Sequence, residues 1–331
     1  MLFFNSMMIG TLIAISAYSW LNMWIGLEIN LLSIIPLMKS YNNSFPAEAT
    51  LKYFITQALA STFILFSIIS MLNSSEYMIE ITSNFYFILL NSALFTKMGA
   101  APFHTWFPEV LDGLNWSNNL ILLTWQKIAP MVLVMYNMKM NLFFSFIILF
   151  SSIISGIFGL NQISLRKIMA YSSINHIAWM LSSMLNLKLI WVSYFLIYSI
   201  ITSNLIFMFM LLNVFTLTQL FSSLNLNKLI KLLFICNFLS LGGLPPFLGF
   251  LPKWLVINQL INSKFYFLAT LLIIFTLVTL YFYIRMTFSS LSISMSETLL
   301  ISLKIKNFLT VILTIFSLMS LILCTSIFNM F

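Results

Sequence analysis

Four ionisable side chains interrupt stretches of sequence that are otherwise almost entirely apolar. They are one carboxylate and three amines: Glu28, Lys97, Lys127 and Lys253. An ionisable group at the centre of a membrane-spanning helix costs roughly 2.5–3.5 kcal/mol on insertion scales, so four of them facing lipid would cost on the order of 10 kcal/mol. We therefore expect all four to face the interior of a helix bundle.

Lysine in such a position is suited to proton transfer. Burial disfavours the charged ammonium, whereas a nearby carboxylate favours it, so a neighbouring charge that moves can make a buried lysine bind or release a proton. Arginine stays protonated and cannot do this. The pattern predicts a proton relay joined by water. In it, Glu28 and Lys97 form a switchable ion pair, Lys127 passes protons onward, and Lys253 exchanges them with the far side.

Each of these residues also has a purely structural interpretation. Glu28 could form a fixed bridge with a lysine, Lys97 could extend along its helix to an interface, and Lys253 could lie near an interface. Lys127 is the hardest to explain in this way, because it lies at the centre of its predicted helix.

Two histidines are secondary candidates. His176 lies within a predicted helix beside Ser172, Ser173 and Asn175. It could bridge the relay, or it could pack helices through a hydrogen bond. His104 follows a predicted helix break, and we expect it to satisfy backbone groups that the break releases.

The composition indicates which solvent surrounds these residues. The 331-residue chain is 61% hydrophobic and 7% charged, with a mean hydropathy of +1.04. A soluble domain carries about a quarter charged residues, so lipid must surround most of this chain. The net charge of +8 is spread in basic groups of at most two adjacent residues. Membrane-protein loops explain that distribution better than nucleic-acid binding does.

Long apolar runs separated by short polar breaks predict eleven membrane-spanning helices. Their predicted ranges are 3–21, 23–39, 50–72, 84–111, 117–137, 142–160, 167–185, 189–214, 229–262, 266–288 and 307–329. The longest loops, 215–228 and 289–306, are too short for an aqueous domain. We therefore expect any redox chemistry to be carried out by partner subunits.

Loop lysines and arginines predict the orientation of the chain. Nine of these residues fall on the side of the N-terminus and three on the other side. The nine are Lys39, Lys52, Arg166, Lys167, Lys228, Lys231, Arg285, Lys304 and Lys306, and the three are Lys139, Lys188 and Lys264. The N-terminus is thus predicted to face the positive-inside compartment, and an odd number of helices puts the C-terminus on the opposite side.

Two predicted helices, the fourth (84–111) and the ninth (229–262), are too long for one straight span. Both contain Gly-x-x-Pro-Phe-x-x-x-x-Pro, which begins at Gly99 and at Gly243. Proline removes a backbone donor and clashes with the preceding turn, so both helices should break. Breaks five helices apart indicate two five-helix repeats, the second inverted, as in many transporters. Two coincidental proline kinks are the alternative.

These patterns predict an all-α polytopic membrane protein of about 11 transmembrane helices. It has two inverted five-helix repeats with discontinuous helices 4 and 9, plus one C-terminal helix. The chain forms a single membrane domain, 1–331. The first repeat covers 1–138, the second covers 139–289, and a loop with the C-terminal helix covers 290–331.

Motifs for cofactors are missing from the sequence. It has no glycine-rich dinucleotide fingerprint, no Walker motif and no acidic metal cluster. Its two cysteines, Cys236 and Cys324, lie in apolar segments and are too few for an iron–sulfur or zinc site. We expect this chain to bind no cofactor and no metal.

Several motifs, in order from about residue 10 to 285, resemble one family. They are Trp24-Ile-Gly-Leu-Glu28-Ile-Asn30, Glu48-Ala-Thr-Leu-Lys52-Tyr-Phe, Lys97-Met-Gly-Ala-Ala-Pro-Phe-His104, Thr124-Trp-Gln-Lys127, Gly159-Leu-Asn-Gln-Ile-Ser-Leu-Arg166-Lys167, Tyr171-Ser-Ser-Ile-Asn-His176 and Leu239-Ser-Leu-Gly-Gly-Leu-Pro-Pro-Phe-Leu-Gly-Phe-Leu-Pro-Lys253-Trp. The chain is similar to the family of chain 2 subunits of mitochondrial NADH–ubiquinone oxidoreductase, of an insect or other arthropod type.

The resemblance implies an antiporter-like membrane-arm subunit of respiratory complex I. The family's key carboxylate and lysines match Glu28, Lys97, Lys127 and Lys253. The enzyme would be the H+-translocating NADH:ubiquinone reductase, to which this chain contributes proton translocation. NADH, FMN, iron–sulfur clusters and ubiquinone would belong to other subunits of the complex.

The resemblance also implies partners and a location. The partners would be other membrane-arm and accessory subunits and phospholipids, without nucleic acid, and the chain would not function alone. It would lie in the mitochondrial inner membrane with its N-terminus on the matrix side and its C-terminus on the intermembrane-space side. Two alternatives remain: a subunit of a stand-alone cation/proton antiporter, and a membrane scaffold whose polar residues only join helices.

Overall fold

The computed structural model describes residues 1–39, 44–74, 80–138, 140–185, 187–224 and 228–292. Within these ranges the chain is built from helices, and the only strand-like pairing is an isolated bridge between Ser164 and Thr216. The chain divides into two compact units, the first being Met1–Ile147 and the second beginning at Ile148.

The helices follow one another closely along the chain. The first eight are α1 (Leu2–Ser16), α2 (Trp20–Met38), α3 (Phe45–Ser74), α4 (Glu80–Met98), α5 (Trp106–Gly113), α6 (Trp116–Leu123), α7 (Ile128–Tyr136) and α8 (Asn141–Leu160). The remaining six are α9 (Leu165–Met184), α10 (Lys188–Leu212), α11 (Leu217–Leu224), α12 (Lys228–Gly242), α13 (Phe250–Asn262) and α14 (Tyr266–Ser292).

Six stretches of the described chain are helical, long and apolar enough to cross a membrane. They are Trp20–Met38, Phe45–Asn73, Trp116–Tyr136, Asn141–Leu160, Lys188–Leu212 and Tyr266–Ser290. The chain is therefore an all-helical protein of the multi-pass membrane type. The count of eleven spans stays a prediction, and the predicted helix 307–329 lies outside the described residues.

Both of the over-long predicted helices are interrupted at the shared pattern. The first breaks between the end of α4 at Met98 and the start of α5 at Trp106. The second breaks between the end of α12 at Gly242 and the start of α13 at Phe250. The predicted discontinuities are confirmed, whereas the inversion of the second repeat stays a prediction.

The two breaks begin with the same backbone geometry. Gly99 has φ +74° and Gly243 has φ +78°, which is a left-handed conformation that favours glycine. The N–H of Gly99 donates to Thr96 O (3.2 Å), and the next N–H donates to Phe95 O (3.0 Å). At the second break the equivalent bonds are 3.0 and 3.3 Å long. Each first half-helix thus ends in a Schellman motif.

Two details differ from the sequence prediction. The predicted fifth span contains a 3₁₀ turn, Trp125–Lys127, between α6 and α7. Pro130 explains this turn, because it has no N–H for the carbonyl of Gln126. The predicted loop 215–228 contains α11. One half of a capping box is present at its start: Gln219 Oε1 accepts the N–H of Thr216 at 3.3 Å and that of Phe215 at 3.0 Å.

Helices α1 and α2 pack with their backbones almost in contact. A Cβ atom added to Gly26 would lie 2.5 Å from the backbone nitrogen of Ala14. One added to Gly10 would lie 2.8 Å from the backbone nitrogen of Asn30. Small residues at such a seam let membrane helices approach closely. The seam fixes the helix that carries Glu28.

Candidate functional site

The three lysines singled out by the sequence are all buried. The exposed fraction is 8% for Lys97, 1% for Lys127 and 6% for Lys253. Glu28 is half-buried on α2. Lys97 and Lys127 lie in the first unit and Lys253 lies in the second, so each unit has its own buried amine.

Lys97 and Glu28 are brought together in the first unit. The carboxylate of Glu28 lies within electrostatic reach of the Lys97 ammonium. The two do not form a direct salt bridge, and the buried Oε1 of Glu28 has no hydrogen-bond partner among the described residues. Lys97 occupies the last turn of α4, where the negative end of the helix dipole favours a cation. The arrangement is a separated ion pair rather than a closed one.

Polar side chains line a small cavity beside Lys97. The lining residues are Leu27, Asn30, Leu31, Tyr53, Gln57, Lys97, Gln126 and Pro130. Gln57 donates from Nε2 to the backbone carbonyl of Lys97 at 3.3 Å. The Asn30 and Gln126 amides donate to each other, at 2.8 and 2.9 Å. These three amides do not stand out in the sequence, because amides are common, although Asn30 follows Glu28 by two residues and Gln126 directly precedes Lys127.

Lys127 lies in the 3₁₀ turn of the first unit. Its ammonium is 5.7 Å from the centroid of the Phe107 ring, a cation–π arrangement. Phe107 belongs to α5, the half-helix that follows the first break. Lys127 therefore packs against the half-helix that follows the first break, near the middle of the apolar span Trp116–Tyr136.

Lys253 is anchored at the second break. Its Nζ donates to the carbonyl oxygen of Gly242, the last residue of α12, at 2.8 Å. The ammonium also lies 5.9 Å from the centroid of the Trp179 ring on α9. A Cβ atom added to Gly243 would lie 3.0 Å from Nζ, so only glycine leaves room for this approach. The amine of Lys253 occupies the carbonyl end of the first half-helix.

His176 lies among tyrosines in the second unit. Its Nδ1 is 2.9 Å from Tyr194 Oη, and its ring centroid is 4.9 Å from that of Tyr198. Trp179 follows three residues later on α9 and shares a face with His176, because residues three apart are neighbours on a helix. The ammonium of Lys253 thus lies near Trp179 on α9, the helix that also carries His176.

The other candidates have local roles. His104 Nδ1 lies 3.2 Å from the carbonyl oxygen of Pro102, which agrees with the expected pairing with backbone in the break. Lys52, on α3, forms exposed ion pairs with Glu48 (3.1 Å) and Glu109 (3.0 Å). No group of histidine, cysteine, aspartate and glutamate in the described ranges is suited to holding a metal.

Comparison with known proteins gives one consistent family. Residues 17–280 match the family described as NADH:quinone oxidoreductase/Mrp antiporter, transmembrane. The chain is 50% identical over 332 residues to NADH-ubiquinone oxidoreductase chain 2 of Aedes aegypti, covering 99% of this chain and 97% of the relative. It is 40% identical over 291 residues to the protein of that name from Bos taurus, covering 86% and 83%.

Solved structures show the same fold at lower identity. A chain of respiratory complex I from Thermus thermophilus with bound aureothin matches with a TM-score of 0.86 and 22% identity, over 96% of this chain and 76% of that chain. A chain of the Mrp complex from a Dietzia species matches with a TM-score of 0.73 and 16% identity, over 85% and 58%.

Proposed function

Because this chain belongs to the NADH:quinone oxidoreductase/Mrp antiporter transmembrane family, and within it to the NADH-ubiquinone oxidoreductase chain 2 family, we propose that it is a core membrane subunit of respiratory complex I. Identity of 50% to an insect chain 2 over 99% of the chain carries the proposal. The complex lies in the mitochondrial inner membrane and couples electron transport from NADH to ubiquinone with proton pumping. NADH, FMN, iron–sulfur clusters and ubiquinone bind to its other subunits.

The contribution of this chain is proton translocation through buried amines. In the first unit the relay uses Glu28, Lys97 and Lys127. Burial supports this role, because a charge that changes in a low-dielectric site acts strongly on its neighbours. The open geometry of Glu28 and Lys97 supports it further. A closed, fully hydrogen-bonded salt bridge would hold its proton, whereas a separated pair responds to the field of the next charge.

In the second unit the relay uses Lys253, with His176 as the bridge. A hydrogen bond from a charged donor is about twice as strong as a neutral one. Loss of the proton from Lys253 therefore weakens its bond to the Gly242 carbonyl and releases the end of α12. Proton occupancy at this site is in this way linked to the conformation of the second break.

The same proposal includes the topology. Eleven spans, repeats at 1–138 and 139–289, and an N-terminus on the matrix side follow from the helix lengths and the loop charges. The matching Schellman ends of α4 and α12 support the assignment of repeats, because two unrelated kinks would have no reason to share two hydrogen bonds and a glycine conformation.

Purification and pumping test the proposal together. The chain should co-purify with a flavin-containing assembly that reduces ubiquinone with NADH, and reconstitution of that assembly should give proton uptake. Cation/proton exchange by the chain in a preparation that lacks flavin would instead support the stand-alone antiporter. If the assembled complex pumped normally after every buried lysine was replaced by methionine, the relay would be wrong and only the scaffold interpretation would remain.

A further inference from the structure

The cavity beside Lys97 has the size and the lining of a water site. Its volume is about 20 Å³. To hold one water molecule, a cavity needs roughly 10–15 Å³ of space open to the centre of a water-sized sphere, together with two to four polar partners. Lys97 and the amides of Asn30, Gln57 and Gln126 supply those partners. The cavity therefore fits one water molecule and has little room for a second.

The reciprocal amide pair leaves hydrogen-bonding capacity for that water. An amide offers two N–H donors and two acceptor lone pairs. The bonds of 2.8 and 2.9 Å between Asn30 and Gln126 use one donor and one lone pair of each amide. Each amide thus keeps one donor and one lone pair for a further partner. Neither amide titrates, so the pair can orient a water without exchanging charge with it.

The pair also joins two parts of the proposed relay. Asn30 lies on α2, the helix of Glu28, and Gln126 lies in the 3₁₀ turn that carries Lys127. A short 3₁₀ turn has poorer backbone hydrogen bonds than an α-helix, so its position depends more on side-chain contacts. The bonds from Asn30 supply such a contact, across 96 residues of sequence.

We propose that this cavity is the binding site of one ordered water, and that Asn30 and Gln126 are positioning residues for that water and for the turn of Lys127. The proposal rests on the proposed function, since a water bonded to Lys97 affects pumping only if Lys97 carries protons. The water accepts a hydrogen bond from the Lys97 ammonium, and the amide pair fixes its orientation toward the first unit's second amine.

The experiment uses the complete, purified complex with Gln126→Met, which removes the amide at nearly constant length. Gln162→Met is the matched control, because Gln162 lies after the end of α8 and its amide bonds a backbone carbonyl of that preceding helix, Phe158 O at 3.1 Å. A map that resolves water should show one density beside Lys97 in the unchanged complex and in the control, but none in Gln126→Met. The number of protons taken up per electron should fall in Gln126→Met alone.

An exchanged pair, Asn30→Gln with Gln126→Asn, keeps both amides and their combined volume. It should restore the water and the proton-to-electron ratio, and it decides the matter if Gln126→Met does not assemble. Absence of the water from the unchanged complex, its retention in Gln126→Met, or its loss from the exchanged pair would overturn the inference. Normal pumping by Lys97→Met with the water still present would instead refute the relay and leave the water site standing.

Discussion

Replacing Gly243 with alanine tests whether proton pumping needs Lys253 to be anchored at the second helix break. The new methyl group would lie 2.9 Å from Cδ and 3.0 Å from Nζ of Lys253, closer than ordinary van der Waals contact. The ammonium would be pushed from the carbonyl of Gly242, its hydrogen-bond partner at 2.8 Å. The backbone would also be strained, because residue 243 has φ +78°.

Two free-energy terms set the size of the effect. A left-handed conformation costs a residue with a side chain roughly 1–2 kcal/mol. A hydrogen bond from a charged group is worth roughly 1.5–3 kcal/mol. The first term lowers the yield of assembled complex. The second corresponds to a roughly 10- to 150-fold fall in the population with Lys253 anchored, and we expect proton uptake per unit of assembled complex to fall with it.

The assay is NADH-driven proton uptake by reconstituted complex, normalised to flavin content. Gly242→Ala is the control, because its added methyl would meet Tyr283 at an ordinary 3.5 Å. A second comparison adds Gly243→Ala to complex that already carries Lys253→Ala, where it should lower uptake no further. Equal uptake by Gly243→Ala and Gly242→Ala would refute the reasoning, as would a full additional loss in the Lys253→Ala background.

Three further substitutions test other parts of the structure. Lys127→Ala should leave assembly largely intact but depress ubiquinone-coupled proton uptake. The control is Lys188→Ala, which replaces an exposed lysine at the start of a helix and should leave uptake unchanged. Normal uptake in Lys127→Ala would count against the relay. Lys97→Arg should assemble but fail to pump, because arginine stays protonated; full activity there would show that a fixed ion pair suffices. Gly26→Val should prevent assembly of the complex, measured on native gels, because the valine side chain would overlap the α1 backbone. Gly156→Ala, whose added methyl has a nearest contact of 3.4 Å, should assemble normally.

The helix breaks could be predicted from the sequence because local chemistry decides them. At each break two prolines at fixed spacing remove backbone donors whatever the surroundings are, and a glycine permits the left-handed end of the first half-helix. Both interruptions follow this pattern. The 3₁₀ turn and α11 depended on equally local signals, Pro130 and the capping pair of Thr216 and Gln219. These were present in the sequence but were outweighed by the continuous apolar run around 130 and by the polar loop around 220.

The candidate site could be predicted only in part. A lysine or glutamate inside an apolar run is conspicuous because ionisable groups are costly there, so these residues could be selected singly. Their partners could not, since an amide is common and the Asn30–Gln126 contact joins residues 96 apart. The hydrogen-bond acceptor of Lys253 could not be predicted from the sequence either. The chain turns back at the break and brings the side chain of residue 253 to a carbonyl eleven positions earlier.

The contact between α1 and α2 makes the Glu28–Lys97 pair mechanically unequal. Because the two backbones are in close contact at Gly26, α2 can shift or rotate only together with α1. Glu28 is therefore carried by a rigid two-helix unit. Lys97 sits instead at the tip of a half-helix, held by a flexible four-carbon stem. Any change in the distance between the two charges must then come chiefly from movement of the lysine side chain, while the carboxylate stays in place.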